Sequence, residues 1–278
     1  MRRHLLGIDH VVIAVRDLDR AEDRWSSLGF RLTPRGYHTL GSQNHCLMFG
    51  GNYIELLAVP KPHPATQHFS DFLAAGDGLA SIALATDDAR GAYAELAGAG
   101  LKPSEPVDFS RPVILPEGTR DASFRIVHLP AAVTPGSHTF LCQHFTREVV
   151  WRPEYLENAL GVTGLAGVSV LSGDVNGSAG AYADLFNVSP QPIAEGWRVD
   201  TGGAPIAITD AQRLAARLRD VTLPARQSPV LAALFLRVAD RAIVAGVLRR
   251  CGFNPIPLAD GSVALGADQA NGVALVFG

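Results

Sequence analysis

The segment GIDHVVIAV (residues 7–15) runs straight into RDLDRAEDRWSSLGF (16–30). The first piece is a short β-branched run and reads as a strand. Asp17 then stands where a helix N-cap belongs. Ala21, Trp25 and Leu28 follow at helical spacing and form one apolar stripe. Gly29 closes the helix, as a glycine just past the last turn commonly does. Three strand-like pieces come next: FRLTPRGY (30–37), NHCLMFG (44–50) and NYIELLAV (52–59).

The same order of elements returns three times. SIALAT (81–86) is a strand, Asp87 or Asp88 a cap, and Ala89, Tyr93 and Leu96 a stripe ended by Gly100. ASFRIVHL (122–129) and HTFLCQHF (138–145) are its later strands. A third copy opens at GVSVLS (167–172), with Asp174 as cap and SAGAYADLFN (178–187) as helix, then PIAEGWRVDT (192–201) and APIAITD (204–210). The fourth runs from LAALFLRV (231–238) through Asp240 and RAIVAGVLRRCGF (241–253) to NPIPLA, GSVALG and GVALVFG. Asp17, Gly29 and Phe30 match Asp240, Gly252 and Phe253 at identical spacing. Each helix is followed by two or three strands, not one. That speaks against an alternating parallel α/β layout and predicts an α+β chain of four βαβββ modules.

Between the second and third copies lies REVVWRPEYLENALGVTG (147–164), charged and aromatic, which reads as a connection. The expected division is a first domain over 1–147, a connecting segment over 148–163 and a second domain over 164–278. KPHPATQHFSDFLAAGDG (61–78) joins the first two modules, with a short helix at 68–75. VDFSRPVILPEGTRD (107–121) reads as a long loop, a candidate lid or rim over a site.

The chain has 278 residues, 47% hydrophobic and 18% charged, with net charge −3. That length supports a proper core without staples. The charge gives no long-range attraction for nucleic acid or an anionic membrane. Cys46, Cys142 and Cys251 are far apart, which speaks against a disulfide framework and predicts buried apolar thiols in a reducing compartment. MRRHLLG is basic, but no long apolar run follows, so no signal peptide is expected. No stretch approaches the ~20 apolar residues of a spanning helix. The expectation is a soluble, cytoplasmic protein.

GIDHVVIAV, the pair GSQNH…YIELLAV and the later CQHFTREVVW resemble the vicinal-oxygen-chelate superfamily of glyoxalase I, extradiol dioxygenases and bleomycin-resistance proteins. Within it, the N-terminal half looks like the glyoxalase-like domains. The resemblance implies modules paired into two partial barrels, each curled around a cavity. It also implies metal ligands on the first and last strands of a module.

Strand alternation places Ile8, His10, Val12 and Ala14 on one face and Asp9, Val11, Ile13 and Val15 on the other. Tyr53, Glu55 and Leu57 share a face. His10 and Glu55 thus sit among apolar residues, where an unpaired carboxylate is costly. A divalent ion (Zn, Mn, Ni or Fe) would satisfy both, and the resemblance implies the same pair. Alignment of the second module puts Ser81 opposite His10 and Gln143 opposite Glu55. Gln143 and the adjacent His144 are further candidate ligands. Glu55 is also the candidate base. Asn44, Tyr53, Ser81, Arg125 and Gln143 are candidate substrate contacts, with Arg125 suited to an anionic group. Tyr37, His38, Glu148 and Trp151 are weaker candidates, Trp151 reading as an anchor of the connecting segment. A lone histidine or glutamate in a strand is commonly structural, so the weight rests on the two positions together.

The C-terminal half offers no such pair. The position matching His10 falls near Gly167 in the third module and near Leu231 to Ala233 in the fourth. Two functions follow. One is a metal-dependent lyase, isomerase or dioxygenase acting on a small organic molecule. The other is metal-free binding and sequestration of such a molecule. The chain is expected to be a monomer or homodimer.

Overall fold

The computed structural model describes residues 1–61, 63–115 and 118–278. The first module is β1 (Ile8–Ala14), α1 (Leu18–Ser27), β2 (Gly36–Tyr37), β3 (Gln43–Met48) and β4 (Tyr53–Ala58). A short helix, α2 (Gln67–Leu73), leads to β5 (Gly78–Ala85), α3 (Ala89–Gly98), β6 (Val107–Leu115), β7 (Gly118–His128) and β8 (His138–His144). The connection carries α4 (Arg147–Val150). The third module is β9 (Val162–Leu171), α5 (Val175–Phe186), β10 (Gln191–Ile193), β11 (Gly196–Val199) and β12 (Ile206–Thr209). After α6 (Ala211–Arg217) come β13 (Val230–Val238), α7 (Arg241–Arg250), β14 (Ile256–Pro257), β15 (Val263–Leu265) and β16 (Ala274–Phe277).

The four module helices start on aspartates whose carboxylates accept backbone N–H bonds: Asp17, Asp88, Asp174 and Asp240. Such a cap satisfies donors that the first helical turn leaves free. Of the two candidates in the second module, Asp88 is the cap. Asp87 instead pairs with His4 at 2.8 Å.

The modules pair into two eight-stranded sheets, ordered β2-β3-β4-β1-β5-β8-β7-β6 and β10-β11-β12-β9-β13-β16-β15-β14. In the first, β1 lies between β4, parallel, and β5, antiparallel. The edges β2 and β6 approach each other, so the sheet is nearly a barrel. The mixed α+β architecture of paired modules is the one the repeats predict.

All four opening strands carry a bulge at the same place. The register skips Asp9 in β1, Ala80 in β5, Ala166 in β9 and Ala232 in β13. An extra residue reverses the alternation behind it. Ile8 therefore joins Val11 and Ile13 in the helix-side core, while Val12 and Ala14 pack inward with Leu57 and Phe69. This corrects the simple alternation, which puts Ile8 with His10. It also fixes the equivalent positions: His10 corresponds to Ser81, Gly167 and Ala233.

Two further expectations change. Residues 107–115 and 118–121 are strand, not loop. β6 and β7 form a long antiparallel pair, from Val107↔Ile126 to Leu115↔Gly118, and residues 116–117 lie outside the described residues. Pro112 is tolerated because β6 is an edge strand. Cys251 is exposed, while Cys46 and Cys142 are buried.

One hydrophobic cluster crosses both halves, from Trp25, Phe49 and Leu56 to Tyr182, Phe186 and Phe277. The inner face of the second sheet is closed by small residues, Ala232, Ala233, Ala264 and Ala274, against Leu214 and Leu218. Among the described residues, no helix is long and apolar enough to cross a membrane.

Candidate functional site

The inner face of the first sheet encloses a cavity of about 420 Å³. Phe69, Phe109, Phe124 and Phe140 form apolar walls, and polar groups gather on β1, β3, β4 and β6. His10 is buried with its ring stacked on Tyr53 at 4.3 Å. The Asp9 bulge turns that carboxylate inward, where Oδ2 lies 2.7 Å from His10 Nδ1. An ionised acceptor at Nδ1 requires the proton on that nitrogen. In the neutral imidazole Nε2 then carries the free lone pair. Nε2 stands 3.6 Å from Glu55 Oε2. The other Glu55 oxygen accepts the Asn44 amide at 2.5 Å and lies 3.9 Å from His38 Nε2.

Burial would raise the Asp9 carboxyl, yet hydrogen bonds from His10 and His144 outweigh it and hold the group well below the usual range. Burial drives His38 down to about 4, although the Glu55 charge pulls the other way. It also pushes the Cys142 thiol well above its ordinary value, helped by the nearby carboxylates of Asp9 and Glu55. His68, His128 and His138 line another wall, with His68 and His138 stacked at 3.7 Å.

Arg111 is the cavity's guanidinium. It comes from β6, is 8% exposed and has no hydrogen bond or ion pair among the described residues. It sits beside Gly36 and Asn44, where a Cβ on Gly36 would lie 2.9 Å from Arg111 Nη1 and 2.3 Å from Asn44 Oδ1. Glycine at 36 leaves room for both side chains at the β2–β6 seam.

Of the residues singled out from sequence, the fold brings His10, Asn44, Tyr53, Glu55 and the weaker candidate His38 to one cavity. The others do not line it. Gln143 faces out and caps α3, accepting from Ala89 N at 3.0 Å and donating to Asp87 O at 2.8 Å. Its alignment with Glu55 also fails: β8 pairs Phe140 with Ala83 as β4 pairs Glu55 with Val12, so Phe140 holds the equivalent place. Arg125 projects to the outer side of β7, bonded to Asp108 and over the Phe145 ring. Ser81 is fully buried with an unpartnered hydroxyl and does not line the cavity. His144 points inward, to Asp9 at 3.0 Å. Glu148 pairs with Arg120 on the surface and Tyr37 is exposed. Trp151 donates to Phe49 O at 3.0 Å and anchors the connection.

Sequence reading missed Asp9, Arg111 and the three histidines. For Asp9 the signal was hidden by the bulge. For Arg111 it was the run VDFSRPVIL, whose apolar residues mark a strand with arginine inside it.

A metal at the superfamily's four ligand positions would draw on His10, Glu55, Ser81 and Phe140. Two are donors, one is a buried hydroxyl off the cavity, and one is a phenyl ring. That donor set does not fit a metal there.

The glyoxalase-like domain family model matches residues 8–186. Among curated proteins, no sequence matches the chain. A hypothetical protein from Staphylococcus aureus shares the fold with TM-score 0.68 and 15% identity, covering 98% of each chain. The Mn(II)-bound glyoxalase from Novosphingobium aromaticivorans matches with TM-score 0.57 and 12% identity, over 99% of this chain and 82% of its own. A mutant of 4-hydroxymandelate synthase from Streptomyces coelicolor matches with TM-score 0.57 and 15% identity, over 91% and 77%. At these identities the neighbours show the fold.

Proposed function

Because the chain belongs to the glyoxalase-like domain family of the vicinal-oxygen-chelate superfamily, we propose that its first barrel acts on a small organic anion by proton transfer between His10 and Glu55. One observation carries this reading. Asp9 holds His10 by Nδ1, and Nε2 faces a carboxylate across 3.6 Å. That gap is too long for a direct hydrogen bond. A substrate atom set beside the pair, on the cavity side, reaches both groups. Glu55 takes a proton from carbon next to a carbonyl while His10, acting in its imidazolium form, gives its Nε2 proton to the carbonyl oxygen; the reverse transfers restore both groups. Asn44 orients Glu55 through its amide. Arg111 fixes the substrate's anionic group, and the phenylalanine walls take its apolar body.

The aromatic walls and one guanidinium make phenylpyruvate a suitable probe of this class. In D2O the full chain is expected to accelerate exchange of its benzylic protons, followed by NMR. Glu55→Gln and His10→Ala should each lose about a hundredfold or more, the usual weight of a positioned acid or base. Exchange by wild type no faster than by His10→Ala would overturn the reading.

Sequestration without turnover is the second reading. It is favoured by Phe140 at a position where the superfamily's enzymes carry a ligand. Tight binding with no exchange in the same experiment would select it.

A further inference from the structure

Asp9, Cys142 and His144 form a donor set that lies outside all four of the superfamily's ligand positions. Among the described residues, no other group of three His, Cys, Asp or Glu residues brings its donor atoms within 4.8 Å of one another. Cys142 and His144 are two apart on β8 and so share a face. Asp9 reaches them because the bulge in β1 turns it inward. His144 Nε2 lies 3.0 Å from Asp9 Oδ2 and 3.6 Å from Cys142 Sγ.

The sulfur–nitrogen separation suits a tetrahedral ion, and the 3.0 Å hydrogen bond between Asp9 and His144 need open only to about 3.3 Å for both to ligate. Zinc bonds of about 2.3 Å to sulfur and about 2.0–2.1 Å to nitrogen place the two donors about 3.6 Å apart. The edges of Phe124 and Trp151, with ring centroids at 4.9 and 5.1 Å, hold the His144 ring in place. Asp9 and Cys142 are 2% and 3% exposed, so the site is dry apart from one side. That side is the cavity, which Cys142 also lines.

We propose that Asp9, Cys142 and His144 bind a zinc ion whose fourth coordination position opens onto the substrate cavity. A thiolate, an imidazole and a carboxylate together favour zinc over magnesium, calcium or manganese, which prefer oxygen donors. Binding displaces the Cys142 thiol proton to solvent and moves the His144 proton from Nε2 to the otherwise unpartnered Nδ1, so one proton is released per ion. Asp9 keeps its bond to His10, because a carboxylate has acceptor sites for both. The inference therefore stands whether or not His10 and Glu55 transfer protons.

The test uses the full chain, stripped with chelator and titrated with Zn(II), then Co(II). One equivalent of Zn(II) is expected, and the Co(II) form should show sulfur-to-cobalt charge-transfer absorption in the near ultraviolet. Cys142→Ser and Cys142→Ala should remove that absorption. They should also weaken zinc binding by at least about a hundredfold, since changes outside the ligand shell alone cost 10–100-fold. Circular dichroism checks that these variants fold. His10→Ala and Glu55→Gln should keep both the absorption and the stoichiometry. Wild type that binds no equivalent of zinc, or binds cobalt without the thiolate band, overturns the proposal. So does binding that survives Cys142→Ser but is lost in His10→Ala, because it puts the ion on the superfamily positions instead.

Discussion

Asp9 and His10 are consecutive residues of one strand, yet their side chains meet, Oδ2 of one 2.7 Å from Nδ1 of the other. Regular pleating forbids this, because neighbours point to opposite faces. The skipped register at Asp9 permits it. The carboxylate accepts from His10 and contacts His144, both in a buried setting. Hydrogen bonds to a charged partner contribute about 1.5–3 kcal/mol each. Asp9→Asn removes the charge while nearly keeping the shape. It should lower unfolding free energy in urea by about 1.5–3 kcal/mol and slow benzylic exchange, because His10 loses its fixed tautomer.

Gly36 is required by space rather than by backbone angle. A Cβ there falls 2.3 Å from Asn44 Oδ1. Gly36→Ala must push Asn44 off Glu55 or Arg111 off its seat. Phenylpyruvate affinity measured by calorimetry should fall at least tenfold, about 1.4 kcal/mol. Arg111→Met should match that loss. The double substitution tells the two routes apart: a Cβ that acts through Arg111 adds little to Arg111→Met, and one that acts through Asn44 adds its full loss.

The histidines of the cavity wall make stability depend on pH. Burial lowers His138 to about 3 and His68 to about 4. The unfolded chain takes up these protons near pH 6.5, well before the native state does. Each group's stabilising share is therefore complete above pH 6.5 and is lost as pH falls toward the folded value. Tm should drop steadily between pH 7 and 5. His138→Phe keeps a ring against His68 and should flatten that slope. An unchanged slope would remove the stacked pair as its source.

The repeats made the fold legible because strand, cap, helix and glycine recur at fixed spacing, and each of these signals is local. His10 and Glu55 were legible for the same reason, since each stands in a strand that its own sequence identifies. What stayed hidden depends on register. One extra residue at Asp9 reverses two faces, and no composition signal marks it. The equivalence of Glu55 with Phe140, not Gln143, follows from pairing across β5 and β8, which adjacent residues do not reveal. Arg125 and Arg111 lie on paired strands, on opposite sides of the wall. Only the register of β6 against β7 tells inside from outside.

The same core geometry bears on how far the two halves are separate. The strands of one sheet lie within 8–144 and those of the other within 162–277, yet the side chains between them interlock. The Trp25 indole donates to Asn271 at 3.1 Å, and Asn271 donates to Asp77 at 2.8 Å. Arg226 stacks on Phe72 at 3.7 Å and donates to Phe72 O at 3.2 Å. Tyr182 reaches Pro135 O at 3.1 Å. Gly272 packs so close that a Cβ would lie 2.2 Å from Asp77 O. A backbone oxygen cannot swing aside as a side chain tip does, so Gly272→Ala must part the halves locally, at a cost of about 1–3 kcal/mol. Residues 1–160 alone would leave the Trp25 indole without Asn271 and cut the hydrophobic cluster that crosses both halves. The full chain should unfold in one calorimetric transition, with calorimetric and van't Hoff enthalpies equal. The 1–160 fragment should show no cooperative transition. Two separated transitions, or a fragment that melts cooperatively, would mean that each sheet is stable by itself and that the shared core only docks them.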